Sequence, residues 1–209
     1  EGFRWLELAT PREFADPVAG QFVQLLLEPP SPVLLPRPMS IAGARRDAEG
    51  RVVMGFLYAP VGVGTRLLAT LPVGAHVSVT GPLGQGFPLH VPGRPVLIAG
   101  GRGVAPLLML ADALADAGRP CDFIFGARTA SLLVGLEEAR TRLARSGGVL
   151  HLATDDGSLG FRGNVVECLA SLRAGLDETL VVHACGPHVM LGGLARWGMA
   201  HGVSTWLAM

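Results

Sequence analysis

Short apolar runs recur through the first part of the chain, at Phe3–Leu8, Gln21–Leu27, Val52–Tyr58 and Ala75–Thr80, each bounded by Pro, Gly or Asp. That pattern predicts short antiparallel strands joined by tight turns, a barrel or a sandwich. From Pro95 the rhythm changes, and β-like runs alternate with stretches of helical length. Val96–Ala99 leads into Pro106–Ala117, Cys121–Gly126 into Ser131–Ser146, Val149–Thr154 into Asn164–Arg173, and Leu180–Ala184 into His188–His201, with Val203–Leu207 last. Continuous apolar strands between amphipathic helices predict a parallel sheet covered on both faces. The fold class is therefore two-domain α+β: an N-terminal antiparallel β-barrel over 1–90, then a doubly wound parallel α/β domain over 91–209. The boundary falls in the turn-rich Pro88–Arg94, and no internal repeat is present.

Composition narrows the chemistry. At 49% hydrophobic and 16% charged the chain is a folded domain pair rather than a disordered polymer, and Gly 29 with Pro 16 makes it rich in turns. Seventeen basic residues balance seventeen acidic ones, which leaves no basic footprint for a phosphate backbone, so no nucleic-acid partner is expected. All the basic residues are arginine, which rules out a Schiff-base lysine and the lysine of a P-loop. Cys121, Cys168 and Cys185 are odd in number and widely spaced, which fits a reducing, cytoplasmic compartment better than a disulfide framework. The most apolar stretch, Val96–Ala111, is broken by Arg102 and Pro106, so no membrane span is predicted. The chain begins at Glu1 rather than Met, and an upstream segment is compatible with that start.

The clearest chemical signal is Val96-Leu97-Ile98-Ala99-Gly100-Gly101-Arg102-Gly103-Val104-Ala105-Pro106, a strand running through glycines into a helix. Glycines let a backbone approach a pyrophosphate, and the helix start offers free N–H groups and a positive dipole end. Alone, the segment also fits a bare strand-to-helix connection, and its spacing is not GxGxxG. Arg37-Pro38-Met39-Ser40 follows a Pro-rich loop, and an arginine fork suits a diphosphate while a serine can bond a flavin edge. Gly62-Val63-Gly64-Thr65-Arg66 can open a short helix toward a second phosphate oxygen. Taken singly, Arg37 also reads as a solvated arginine and Thr65 as an N-cap.

Together with the βαβ series, these motifs resemble the ferredoxin reductase family, in which a flavin-binding barrel precedes a nicotinamide-nucleotide-binding domain. Four further motifs occur in order: Gly81-Pro82-Leu83-Gly84-Gln85-Gly86-Phe87-Pro88, Phe125-Gly126-Ala127-Arg128-Thr129, Thr154-Asp155-Asp156-Gly157-Ser158-Leu159-Gly160 and Ala184-Cys185-Gly186-Pro187. With them the chain, from about Gln21 onward, is similar to the electron-transfer subunits of NAD-dependent dihydroorotate dehydrogenases. The resemblance implies FAD in the barrel, NAD(H) on the α/β domain and hydride exchange between nicotinamide C4 and flavin N5. It also implies an FMN-containing catalytic subunit oxidising dihydroorotate, a heterotetramer, and a place in pyrimidine biosynthesis. The same motifs leave open a stand-alone or hydrogenase-type NAD(P)H:acceptor reductase, or a non-catalytic nucleotide-binding module.

By that resemblance Arg37, Pro38, Met39 and Ser40 line the flavin and its diphosphate, Leu57, Tyr58 and Ala59 pass along the cofactor, and Gly64 and Thr65 cap a phosphate. Gly100, Gly101 and Gly103 form the NAD pyrophosphate turn, and Cys185, Gly186 and Pro187 the loop beside the nicotinamide. Cys185 is a positioning residue rather than a nucleophile, His151 and His183 are core or edge residues, and no catalytic acid, base or metal ligand is assigned. Asp155 and Asp156 either shape the NAD pocket or form an Asx turn. Arg128 lies near the place of a 2′-phosphate without a surrounding basic cluster, and no acidic ribose partner is evident; NAD follows from the resemblance. Two departures stand out: Ala59 takes the place of an arginine, and the family's cysteine-rich [2Fe-2S] segment of CxxxxCxxC kind is expected to be absent from this chain.

Overall fold

The computed structural model describes residues 2–28, 35–173 and 179–208. The chain divides into two units, Glu1–Gly86 and Phe87–Met209. The Pro-rich run 29–34 before Arg37 lies outside the described residues.

The first unit consists of β1 (Arg4–Ala9), β2 (Phe22–Leu27), β3 (Arg37–Ser40), β4 (Gly43–Arg46), β5 (Val52–Tyr58), α1 (Val63–Leu68) and β6 (Val77–Leu83). They form two three-stranded antiparallel sheets, β1-β5-β4 and β3-β2-β6. β5 is buried along nearly its whole length, with Val52, Met54 and Phe56 fully enclosed, because it is the central strand of its sheet and faces the core. Hydropathy alone predicts neither β3 (Arg-Pro-Met-Ser) nor β4 (Gly-Ala-Arg-Arg), since their pairing comes from β2 and β5 rather than from their own residues. Between them Ile41 and Ala42 are buried, and their N–H groups donate to the carbonyls of Gln21 at 3.1 Å and Gly55 at 2.8 Å, which ties this bend to both sheets.

The second unit contains β7 (Arg94–Gly100), α2 (Val104–Asp116), β8 (Asp122–Ala127), α3 (Leu136–Ser146), β9 (Leu150–Thr154), β10 (Phe161–Arg162), α4 (Val165–Arg173), β11 (Leu180–Cys185), α5 (His188–His201) and β12 (Ser204–Ala208). All six strands are parallel, in the order β10-β9-β8-β7-β11-β12. The chain starts in the middle, winds outward to β10, then crosses back to β11, so β7 and β11 flank the point where strand order reverses. Side chains alternate between faces: Val96, Ile98, Ile124, Val182 and Ala184 pack with α4 and α5 through Val165, Leu169, Leu191 and Leu194, while α2 and α3 pack together in the other layer. The predicted doubly wound α/β arrangement is what forms.

Two local differences have plain causes. α3 begins at Leu136 rather than Ser131, because Gly135 adopts φ 78° and interrupts the helix; Ala130–Leu132 make a separate 3₁₀ turn. β10 has only two residues and no hydrophobic periodicity to announce it.

Candidate functional site

The glycine run after β7 becomes a 3₁₀ turn, Gly101–Gly103, that feeds directly into α2. Its glycines do different work. A Cβ on Gly103 would collide with the Cys185 carbonyl, one on Gly100 would sit 2.8 Å from Pro187 Cδ, and one on Gly186 would sit 3.0 Å from the Gly100 backbone. These three therefore weld the turn after β7 to the loop after β11, an approach that no side chain permits. Gly101 differs: it adopts φ +51°, and a Cβ there would meet nothing within 4 Å. It faces open space.

That space is a cavity of about 810 Å³ at the carboxyl end of the sheet, beside the crossover point where ligands of open α/β sheets gather. Gly100 and Gly101, Gly126 to Arg128, Asp155, Asn164, and Pro187 with Met190 are among its walls. Three helices begin around it, and their ends are not equivalent. The start of α4 is closed by its own sequence: Asn164 Oδ1 accepts from the N–H groups of Val166 at 2.9 Å and Glu167 at 3.1 Å, while Glu167 Oε2 accepts from Asn164 N–H at 2.9 Å. The starts of α2 and α5, at Gly103 and Pro187, carry no side-chain cap. Two positive dipole ends free of any side-chain cap are thus available for an anion.

Electrostatics sort the neighbouring residues. Burial pushes the Cys185 thiol up to about 11, so it is protonated and unreactive at neutral pH. Burial, reinforced by the charge of Arg119, pushes His183 down to about 4; it is 1% exposed, neutral, and edge-on to Phe87 at 5.5 Å between centroids. Both belong to the packing.

Asp155 and Asp156, adjacent in sequence, are engaged differently. Asp156 Oδ1 accepts from Ser158 N–H at 3.0 Å and from the Ser158 hydroxyl at 2.6 Å, bonds that hold its carboxyl below the usual range and make it the Asx turn. Asp155 lines the cavity, as do Arg128 and Arg196.

The opposite end of the sheet is built differently. Arg94 pairs with Asp122 at 2.7 Å, and the Arg119 guanidinium donates to the carbonyls of Leu89, Val91 and Gly93. The arginines around the cavity there are already spent on protein groups.

In the first unit Arg37, Pro38, Met39 and Ser40 together make β3, in register with Leu25, Gln24, Val23 and Phe22. Met39 is buried, Arg37 half-buried, and Pro38 and Ser40 exposed; Arg37 forms no ion pair with any described residue. Leu57 and the buried Tyr58 end β5, with Ala59 just beyond, and burial raises the Tyr58 phenol. Gly64 is buried inside α1, and the Thr65 hydroxyl accepts from Gly62 N–H at 3.0 Å and donates to the Gly62 carbonyl at 3.2 Å. Thr65 is the helix's own capping residue, and Arg66 folds back onto the Val61 carbonyl at 2.9 Å.

A parallel sheet with an open glycine turn and uncapped helix starts at its crossover is the architecture of a nucleotide-binding domain, and residues 97–196 match the family model "Oxidoreductase NAD-binding domain". The chain belongs to the family of dihydroorotate dehydrogenase B (NAD(+)) electron transfer subunits. It is 35% identical over 175 residues to that subunit of Desulforamulus reducens, covering 83% of this chain and 64% of the relative. To the subunit of Clostridium acetobutylicum it is 33% identical over 191 residues, covering 91% of this chain and 70% of the relative. The chain thus spans about two thirds of the length of these relatives. Among solved structures it is similar to the NADH-dependent reduced ferredoxin-NADP oxidoreductase described in connection with flavin-based electron bifurcation, at 26% identity and TM-score 0.82 over 100% of this chain and 72% of that one. No helix among the described residues is long and apolar enough to cross a membrane.

Proposed function

We propose that the second unit seats NAD(H) in the cavity between the Gly100–Gly103 turn and the Cys185–Pro187 loop, and that β3, the end of β5 and α1 carry FAD. The chain is then the electron-transfer member of a cytoplasmic, dihydroorotate-oxidising heterotetramer, whose FMN-containing catalytic subunit is the electron donor and NAD+ the acceptor.

The observation that carries this reading is Gly101. It is a left-handed glycine with room for a ligand at the head of an uncapped helix, opposite a second uncapped helix start. A pyrophosphate satisfies both helix ends at once, and a Cβ at position 101 would stand in the space it needs. The flavin assignment rests on Arg37, a half-buried arginine with no ion pair among the described residues, which suits a diphosphate. Family membership supports the partner: the relatives are named as electron transfer subunits of dihydroorotate dehydrogenase B.

When bound, the two cofactors supply hydride exchange between nicotinamide and flavin rings. The protein's share is orientation and electrostatics. The amides of the Gly101–Gly103 turn and the starts of α2 and α5 receive the pyrophosphate. The Cys185–Pro187 loop, locked by Gly100 and Gly103, holds its backbone rigid beside the ring, and the Cys185 thiol stays protonated there. Arg37 balances diphosphate charge; Ala59 supplies none. The three cysteines do not fit a [2Fe-2S] cluster: Cys121, just before β8, and Cys168, in α4, are both buried, and no group of three possible ligands gathers among the described residues. No step is routed through one.

The test is to purify the chain with and without the catalytic subunit, record its flavin absorption, and reduce it with NADH. FAD uptake, reduction by NADH and co-purification of an FMN-containing, dihydroorotate-oxidising subunit are the expected results. FAD and NADH reactivity without such a partner would sink the dihydroorotate assignment in favour of an NAD(P)H:acceptor reductase, and absence of flavin would sink the enzyme reading.

A further inference from the structure

Two loops at the carboxyl end of the sheet are locked into one platform. Thr154, fully buried, accepts from Leu159 N–H at 3.0 Å and donates to its carbonyl at 2.9 Å, closing the loop after β9 on itself. The same loop is tied to the end of β8: Asp155 N–H donates to the Ala127 carbonyl at 3.2 Å, Asp156 N–H to that of Arg128 at 3.3 Å, and Ala130 N–H to Ser158 Oγ at 2.8 Å. Gly157 and Gly160, both at φ +74°, make the bends.

The platform places one uncommitted acidic residue in the wall of the cavity. Asp156 is spent on Ser158, whereas Asp155 is among the residues that line the cavity and its carboxylate forms no hydrogen bond or ion pair with a described residue. The other charged walls are Arg128 and Arg196, which likewise form no ion pair among the described residues. A nucleotide lying across this end meets two cations and one anion, and the anion is the group on the rigid loop. Its chemistry toward the two nicotinamide nucleotides is opposite. A carboxylate accepts a hydrogen bond from a free ribose hydroxyl, as the acidic residue of dinucleotide folds does, and it repels a 2′-phosphate. The arginines, left unopposed, would attract that phosphate.

We propose that Asp155 is the specificity-determining residue of this cavity, selecting a nicotinamide nucleotide with a free ribose 2′-hydroxyl and excluding its 2′-phosphorylated counterpart, with Arg128 as the cation it holds in check. Sequence position hides this role, because the acid stands at the end of the third strand of the winding order, not the second, where Arg128 stands. The inference rests on the proposed placement of NAD(H) in this cavity.

The experiment is equilibrium binding of NADH and NADPH to the full chain by nucleotide fluorescence, repeated calorimetrically with 5′-AMP and adenosine 2′,5′-bisphosphate. Wild type, Asp155→Asn and Asp155→Asn combined with Arg128→Ala are compared. Wild type is expected to prefer NADH and 5′-AMP. Asp155→Asn is expected to tighten NADPH and the bisphosphate about tenfold, equivalent to about 1.4 kcal/mol, and to weaken NADH, whose ribose hydroxyl loses its charged acceptor, so that the preference for NADH falls by more than about tenfold. The Arg128→Ala change then reverses that gain. If NADH binds wild type but NADPH affinity is unmoved by Asp155→Asn, the inference falls alone. If neither nucleotide binds wild type, the placement of NAD(H) falls with it.

Discussion

Gly103 lies so close beneath the Cys185 carbonyl that a single methyl group at position 103 would overlap it. This contact joins the first strand of the winding order to the strand that follows the crossover, at the points where α2 and the Cys185–Pro187 loop begin. Gly103→Ala is therefore expected to destabilise the second unit by about 1–3 kcal/mol, the usual cost of overpacking, and to weaken NADH binding with it. Urea unfolding alongside NADH titration checks both, and an unchanged midpoint would refute the contact.

Gly101 makes the contrasting case. Its Cβ position is open, so Gly101→Val costs stability only through the left-handed backbone, about 1–2 kcal/mol, yet fills the approach to the turn. NADH affinity should drop well beyond the stability change while flavin content stays at the wild-type level. Unaltered NADH affinity in a folded variant would place the pyrophosphate elsewhere.

Arg37→Ala tests the flavin assignment. A charge-assisted contact contributes about 1.5–3 kcal/mol, so the variant should lose FAD on gel filtration under conditions where wild type retains it. Because Arg37 makes no ion pair with a described residue, the thermal midpoint of the flavin-free protein should barely move. Full flavin occupancy in the variant would remove Arg37 from the site.

His183 predicts an acid-side loss of stability. Its ordinary value of 6.5 falls to about 4 in the folded chain, so between these limits the unfolded chain binds a proton that the folded chain refuses. Stability is then complete above about pH 6.5 and declines as pH falls toward 4, by up to about 3 kcal/mol. Urea midpoints at pH 7.5 and 5 should differ more for wild type than for His183→Leu, and equal pH dependence in the two would contradict the assignment.

Cys185 is expected to be chemically quiet. With its thiol pushed up to about 11, iodoacetamide at pH 7.5 should label it far more slowly than a free thiol, and Cys185→Ala should keep NADH affinity within about threefold. Rapid labelling in the folded chain would mean that the loop opens or that the thiol is activated.

Much of this was legible from the chain alone, because its causes are local. The alternation of apolar runs with helical stretches after Pro95 reflects strands buried on both faces, and each of the predicted segments there became an element of the parallel sheet or its helices. The left-handed Gly135 that delays α3 and the capping box Asn164–Glu167 that starts α4 are likewise local signals, the first a single glycine and the second confined to four residues. The glycine turn was recognisable as a strand-to-helix connection suited to a phosphate. Which glycine faces open space was not, since Gly100 and Gly103 are fixed by Pro187 and Cys185, more than eighty residues away in sequence. β3 and β4 owe their strand form to partners supplied by other segments, so their own polar residues gave no warning. The division of labour between Asp155 and Asp156 depends on where Ser158 and the end of β8 come to rest. Periodicity and turn chemistry are properties of neighbours along the chain; close approach, pairing and the direction of a carboxylate exist only after distant segments have been brought together.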